Sequence, residues 1–223
     1  MEAAMIDFTL IWDSLPALLY GTFVSLKITC VAMAIGLTLG SLFGVLESSK
    51  YHFFRFVIGI YVTLFRGTPM LVQILFVFYV FPQFGLNLPP FWAASLAIGL
   101  NSAAYISQIV RAGINAVSIG QVEAARNLGF SSFKTMRYIV LPQAFRTTLP
   151  ALGNEMVTLI KDSSLASIIG VMELTKEASL IRSRTYDAFS ILLAISIIYL
   201  ILTSTLSLFL KRFEGELKHH VQS

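Results

Sequence analysis

From Gly67 to Val110 the chain carries no Asp, Glu, Lys, Arg or His at any position. The run is about twice the length that one helix needs to cross a bilayer's hydrocarbon layer. It is cut by Pro82, Gly85, Pro89 and Pro90. Backbone N–H and C=O groups in lipid must be satisfied within the chain, which a segment of this kind achieves as helix. The run therefore predicts two membrane spans joined by a Pro-rich turn. Composition agrees, because 56% of the 223 residues are hydrophobic and 13% charged, against about 25% charged in a soluble domain.

The remaining spans follow from the charge pattern. Residues 28 to 46 are uncharged and, with Thr22 to Lys27 in front, make span 1. A short interfacial helix around Phe8 to Leu19 precedes it, with Trp12 and Tyr20 at headgroup level. Span 2 covers residues 53 to 81, span 3 covers 91 to 112, and the last span covers 188 to 210. Span 4, at 147 to 172, is the least apolar because Glu155, Lys161 and Asp162 interrupt it. The expectation is an all-α membrane protein with five transmembrane helices in a single domain, residues 1–223.

Orientation comes from Lys and Arg in the loops. One set of loops holds Lys50, Arg55, Arg111, Arg126, Lys134, Arg137, Arg146, Lys211, Arg212 and Lys218; the other holds Lys176, Arg182 and Arg184. The first set is cytoplasmic, which puts the N-terminus outside and the C-terminus inside. Positive-inside topology also accounts for the net charge of +4, so nucleic acid is not an expected partner. Residues Met1 to Tyr20 carry Glu2, Asp7 and Asp13 and no basic residue, unlike a secretory signal. Cys30 is the single cysteine and His52, His219 and His220 are scattered, so neither a disulfide nor a metal site is expected. Walker, HExxH and GxSxG patterns are absent. The chain reads as a non-enzyme whose energy comes from a partner.

One cytoplasmic loop, Arg111 to Arg146, is too long to be a plain connector. Ser118 to Leu128 is helix-prone, and Gly129 stands where a left-handed cap belongs. Ser131 or Ser132 caps a second short helix that runs through Tyr138 and stops at Pro142. The result is a helix-turn-helix knob over residues 115–142.

Within that knob Glu123-Ala124-Ala125, Gly129, Ile139, Leu141 and Pro142 resemble the EAA loop signature of ABC importer permeases. Arg66-Gly67-Thr68-Pro69, Asn154-Glu155 and Lys161-Asp162-Ser163-Ser164-Leu165 resemble the polar amino acid subfamily, similar to histidine, arginine and glutamine importers. The resemblance covers nearly the whole chain, Leu15 to Arg212. It implies a bacterial inner-membrane subunit without a cofactor of its own, since ATP is bound and hydrolysed by a partner. The implied partners are an ATPase dimer seated on the loop, a second permease, identical or paralogous, and an extracytoplasmic amino-acid-binding protein. Ala124 and Ala125 are small enough for close approach to the ATPase. Glu123 pairs either with a partner's arginine or with Arg126.

Ionisable groups at bilayer depth are costly and mark function. With Asn154 at 0° and about 100° per residue, Thr158 falls near 40°, Lys161 near 340°, Asp162 near 80° and Glu155 near 100°. That single stripe suits a zwitterion. Asn101, Tyr105 and Gln108 share a face of span 3 by their spacing. Arg66 stands beside Gly67, Thr68 and Pro69, where a break in the helix would free backbone groups. Arg66 is the candidate clamp for a substrate carboxylate; the alternative is a structural ion pair with Glu155 or Asp162. Lys161 is either tied to Asp162, which leaves Glu155 for a cationic side chain, or faces the pocket and favours an acidic or amide substrate. The first arrangement, with arginine, lysine or histidine as substrate, is preferred to glutamine or glutamate. A self-powered secondary carrier is the rival from another class. It is disfavoured because the chain shows no inverted repeat and such a carrier needs no cytoplasmic knob.

Overall fold

The first helix, α1 (Phe8–Glu47), is continuous for 40 residues. The expected interfacial helix and span 1 are therefore one element. A stripe of buried residues, Ser14, Leu18, Thr22, Ser25, Thr29, Ala32, Gly36, Gly40, Gly44 and Glu47, recurs every third or fourth position along it. One face packs along the whole length, so nothing favours a break before Thr22. Asp7 caps the start by accepting a hydrogen bond from the Leu10 N–H at 2.9 Å. The computed structural model describes residues 6–49 and 51–222, with side chains as far as Arg212. Glu2 and Lys50 lie outside that description, as do the side chains of Lys218, His219 and His220.

The segment expected as span 2 is bent rather than straight. It is made of α2 (His52–Gly67) and α3 (Met70–Tyr79), which meet at 104° once the turn Phe81–Phe84 is counted with α3. Pro69 has no N–H to continue the ladder, and the residue before it is pushed out of helical geometry, as seen at Thr68 (φ −118°, ψ 145°). Span 3 is α4 (Pro90–Asn115), close to its predicted limits and the most buried helix of the molecule. Ile28 and Ala32 of α1, Ile74 of α3 and Ala93, Ala97 and Ile98 of α4 form the main apolar core.

Beyond α4 the 115–142 segment folds into α5 (Ile119–Asn127) and α6 (Ser132–Thr135). Gly129 has φ +83°. Its N–H donates to Arg126 O at 2.9 Å, and that of Phe130 donates to Ala125 O at 3.0 Å. This pair of bonds closes the helix end as a Schellman motif. Ser131, not Ser132, is the second cap, accepting from Lys134 N.

Pro142 does not stop the second helix. A π turn, Met136–Val140, carries the chain from α6 into α7 (Leu141–Asp162) without a break. In it the Leu141 N–H donates to Met136 O, five residues back. A π turn widens the ladder by one residue, and the missing proline N–H falls at the start of the next helix, where it is tolerated.

The chain then passes through a 3₁₀ segment, Ser163–Ile169, and α8 (Leu174–Thr185) into α9 (Ala188–Gln222). Among the described residues α1, α4 and the Ala188–Arg212 part of α9 are long and apolar enough to cross a membrane singly. α7 falls short because Arg146, Glu155, Lys161 and Asp162 lie on it.

Candidate functional site

The break between α2 and α3 is held by two side-chain amides. Pro69 cannot donate to Phe65 O, which would be orphaned at bilayer depth. Gln73 Nε2 donates to it at 2.8 Å and Asn101 Nδ2 at 3.1 Å. Gln73 Nε2 also reaches Thr68 O at 3.1 Å and Thr68 Oγ1 at 2.8 Å, while Asn101 Nδ2 donates to Gln73 Oε1 at 2.9 Å. Thr68 Oγ1 in turn donates to Leu64 O at 2.8 Å. A Cβ at Gly67 would meet nothing within 4 Å.

This bracing leaves Arg66 exposed at the end of α2. Its guanidinium carbon stands 5.1 Å from the centre of the Tyr105 ring on α4, a cation–π arrangement. Among the described residues the one ion pair within 4.0 Å is Arg111–Glu47. Neither the expected alternative partners of Arg66, Glu155 and Asp162, nor the Glu123–Arg126 pair is engaged. Arg66 and Tyr105 line a cleft of about 400 Å³ with Gln108 and Ala112 of α4 and Thr147, Thr148 and Ala151 of α7. Asn154 and Glu155 lie one helical turn beyond Ala151.

The predicted face of α4 divides. Asn101 is buried and turned to the break, Tyr105 faces the cleft, and Gln108 donates to Glu47 Oε2 at 2.8 Å. Spacing put them on one face; Gln108 stays on the cleft beside Tyr105 while it bonds Glu47, and Asn101 alone is drawn to the break. The stripe on α7 divides as well. Asn154, Thr158 and Lys161 are exposed, whereas Glu155 and Asp162 are half-buried at its edge. Thr158 Oγ1 donates to Asn154 O at 3.1 Å. Ser102 Oγ donates to Glu155 Oε1 at 2.8 Å, a link that sequence reasoning missed because a serine in an apolar helix carries no signal of its own. Gln73, seven positions from Arg66 and on its face by helical spacing, braces the break instead, because the bend between α2 and α3 separates the two side chains. Lys161 is not tied to Asp162 by an ion pair.

In the 115–142 segment Glu123, Ala124, Gly129 and Pro142 are exposed, Ile139 and Leu141 are half-buried, and Ala125 is buried. Ala125 packs into its own chain, so only Ala124 of the pair is available for close approach. Gln143 Nε2 on α7 donates to Gln121 Oε1 on α5 at 2.6 Å, fixing the knob to the bundle. Leu128 and Phe133 are 80% and 71% exposed at its tip, more apolar surface than an isolated knob would present to water.

A family profile, the binding-protein-dependent transport system inner membrane component, matches residues 13–219. The chain belongs to this family. It is 38% identical over 214 residues to the arginine transport system permease protein ArtQ of Bacillus subtilis, covering 96% of this chain and 98% of that one. It is 37% identical to the glutamine transport system permease protein GlnP of Escherichia coli K12, covering 95% and 98%. A crystal structure of an amino acid ABC transporter with histidines superposes with a TM-score of 0.89 at 40% identity, covering 95% of this chain and 99% of that one. Inward-facing structures of the MetNI methionine ABC transporter share the fold, with a TM-score of 0.79 at 20% identity, covering 95% and 99%. The permease is thus a multi-pass inner-membrane subunit of an ABC importer for polar amino acids, a transport component without an ATPase site of its own. The family is one that depends on binding proteins.

Proposed function

We propose that this permease carries a cationic amino acid, arginine, lysine or histidine, along the face formed by Arg66, Tyr105 and the α7 stripe. The observation that carries the reading is Glu155. It is half-buried, held by the neutral hydroxyl of Ser102 at 2.8 Å, and has no cation within 4.0 Å among the described residues. A carboxylate kept out of water without a counter-charge is costly, and a cationic side chain at charge-assisted hydrogen-bond distance relieves that cost. Arg66, exposed and free of carboxylates, takes the substrate's α-carboxylate in bidentate fashion. Asp162 offers its charge to the α-ammonium, with Asn154, Thr158 and the Gly67–Thr68 backbone as neutral hydrogen-bonding groups around it.

The exposed, unpaired Lys161 favours a second reading, in which it faces the substrate and the cargo is glutamine or glutamate. Glu155→Gln separates the two, because it keeps shape and removes charge. Under the first reading it weakens uptake of cationic amino acids by roughly 1.5–3 kcal/mol, the scale of a charged hydrogen bond, and spares a neutral substrate. Equal loss for both classes of substrate overturns the cationic assignment.

The N-terminus lies outside, the C-terminus lies inside, and α7 completes a set of five spans with the bent α2–α3 pair counted as one. The whole chain acts as one domain. Two permeases, identical or paralogous, face each other across the Arg66–Lys161 surface, and a binding protein delivers cargo from outside. The 115–142 loop seats in an ATPase dimer through Glu123, Ala124 and the exposed Leu128 and Phe133, while Gly129, Ile139, Leu141 and Pro142 shape it. ATP-driven approach of the two loops rocks the bundles and switches access from outside to inside.

A further inference from the structure

Glu47, the last residue of α1, is 5% exposed and sits at the hub of three contacts. Arg111 Nη1 donates to its Oε1 at 2.5 Å, Gln108 Nε2 donates to its Oε2 at 2.8 Å, and Arg55 Nε donates to its backbone oxygen at 3.2 Å. These donors come from α4 and from the start of α2. A carboxylate in this place is locally disfavoured, since the C-terminal end of a helix already carries partial negative charge. Burial adds a desolvation penalty, and an apolar residue of similar size would pack here at less cost. An arrangement this unfavourable for stability alone points to a geometric task.

That task is legible in the seam between α1 and α4. Above Glu47 the two helices touch through glycines: a Cβ on Gly40 would meet Ile106 Cβ at 2.7 Å, and one on Gly44 would meet Ser107 O at 2.7 Å. Such a smooth contact holds by dispersion and resists sliding weakly. The bonds of Glu47 are directional, and they pin the seam at its end. Arg111 lies four residues, about 6 Å of helix rise, before α4 ends at Asn115 and the 115–142 loop begins.

We propose that Glu47 is a positioning residue that locks the ends of α1 and α2 to the root of this loop, so that displacement of the loop moves the bundle rather than bending α4. The proposal rests on the reading that the loop engages the ATPase. Without the lock, ATP hydrolysis continues and transport per ATP falls.

The test uses the whole transporter, permease with its ATPase and binding protein in liposomes. Uptake of labelled arginine or glutamine, whichever the unaltered transporter accumulates, is read against ATP hydrolysed. Glu47→Gln is expected to retain the ATPase in the purified complex and to lower uptake per ATP at least fivefold. Glu47→Asp, which keeps the charge, restores at least half. An unchanged ratio in Glu47→Gln overturns the proposal. So does loss of the ATPase from the complex, or equal failure of the Gln and Asp variants, since each marks a purely structural residue. Should Glu47→Gln not accumulate in the membrane, the ratio is read on Arg111→Met, where the same drop is expected and an unchanged ratio overturns the proposal. Gly129→Val separates the underlying reading: if that variant couples normally, the loop assignment fails; if it uncouples while Glu47→Gln does not, the positioning role alone fails.

Discussion

The side-chain amide of Gln73 donates to the backbone oxygen of Phe65 at 2.8 Å, taking the place of the N–H that Pro69 lacks. The bend that exposes Arg66 is therefore held by a side chain one turn into the next helix, with Asn101 as a second donor to the same oxygen. Gln73→Leu keeps the bulk and removes the donor, and should lower stability by about 1–2 kcal/mol. Asn101→Leu should do the same, and the double variant should cost clearly less or more than the sum, because the two share one acceptor. Thermal unfolding in detergent measures this. Strict additivity would mean that the two donors act independently, and no loss in either single variant would mean that the bend is held by packing alone.

The α1–α4 seam should respond sharply to added volume. Gly40→Val brings atoms against Ile106 Cβ and Ala103 O, both under 3.0 Å from a Cβ at that position, and is expected to destabilise by about 3 kcal/mol or more. Gly59→Ala on α2 meets no atom within 4 Å and should stabilise the isolated chain by about 0.5–1 kcal/mol through helix propensity. The contrast, read by melting in detergent, isolates close approach from any general intolerance of glycine replacement.

Gly129 has φ +83°, and a Cβ there would meet nothing within 4 Å. Gly129→Val therefore acts through backbone strain alone, about 1–3 kcal/mol. It should abolish uptake while membrane levels and binding-protein levels stay normal. Full uptake by a variant shown to be in the membrane would remove the loop from the coupling path.

Purified permease alone, reconstituted in liposomes, should neither hydrolyse ATP nor accumulate an amino acid against its gradient. Proton-gradient-dependent accumulation by this chain alone would hand the case to a secondary carrier.

Much of the molecule is written in short-range pattern. The charge-free run, the punctuating prolines, the Gly129 cap and the seven loop positions each act within about one helical turn or rest on burial periodicity, so they can be read along the chain. The family was legible for the same reason. What tertiary structure decided lies in contacts that cross between helices. The donors that rescue Phe65 come from 8 and 36 residues away, and the serine that holds Glu155 from 53. Spacing grouped Asn101, Tyr105 and Gln108 on one face, but contact with Gln73 turned Asn101 to the break and left Tyr105 and Gln108 on the cleft. Likewise Pro142 signals a helix end in sequence, yet a π turn let the chain run on into α7. An ionisable group in an apolar helix announces that it needs a partner; only the packing of the other helices determines which one it finds.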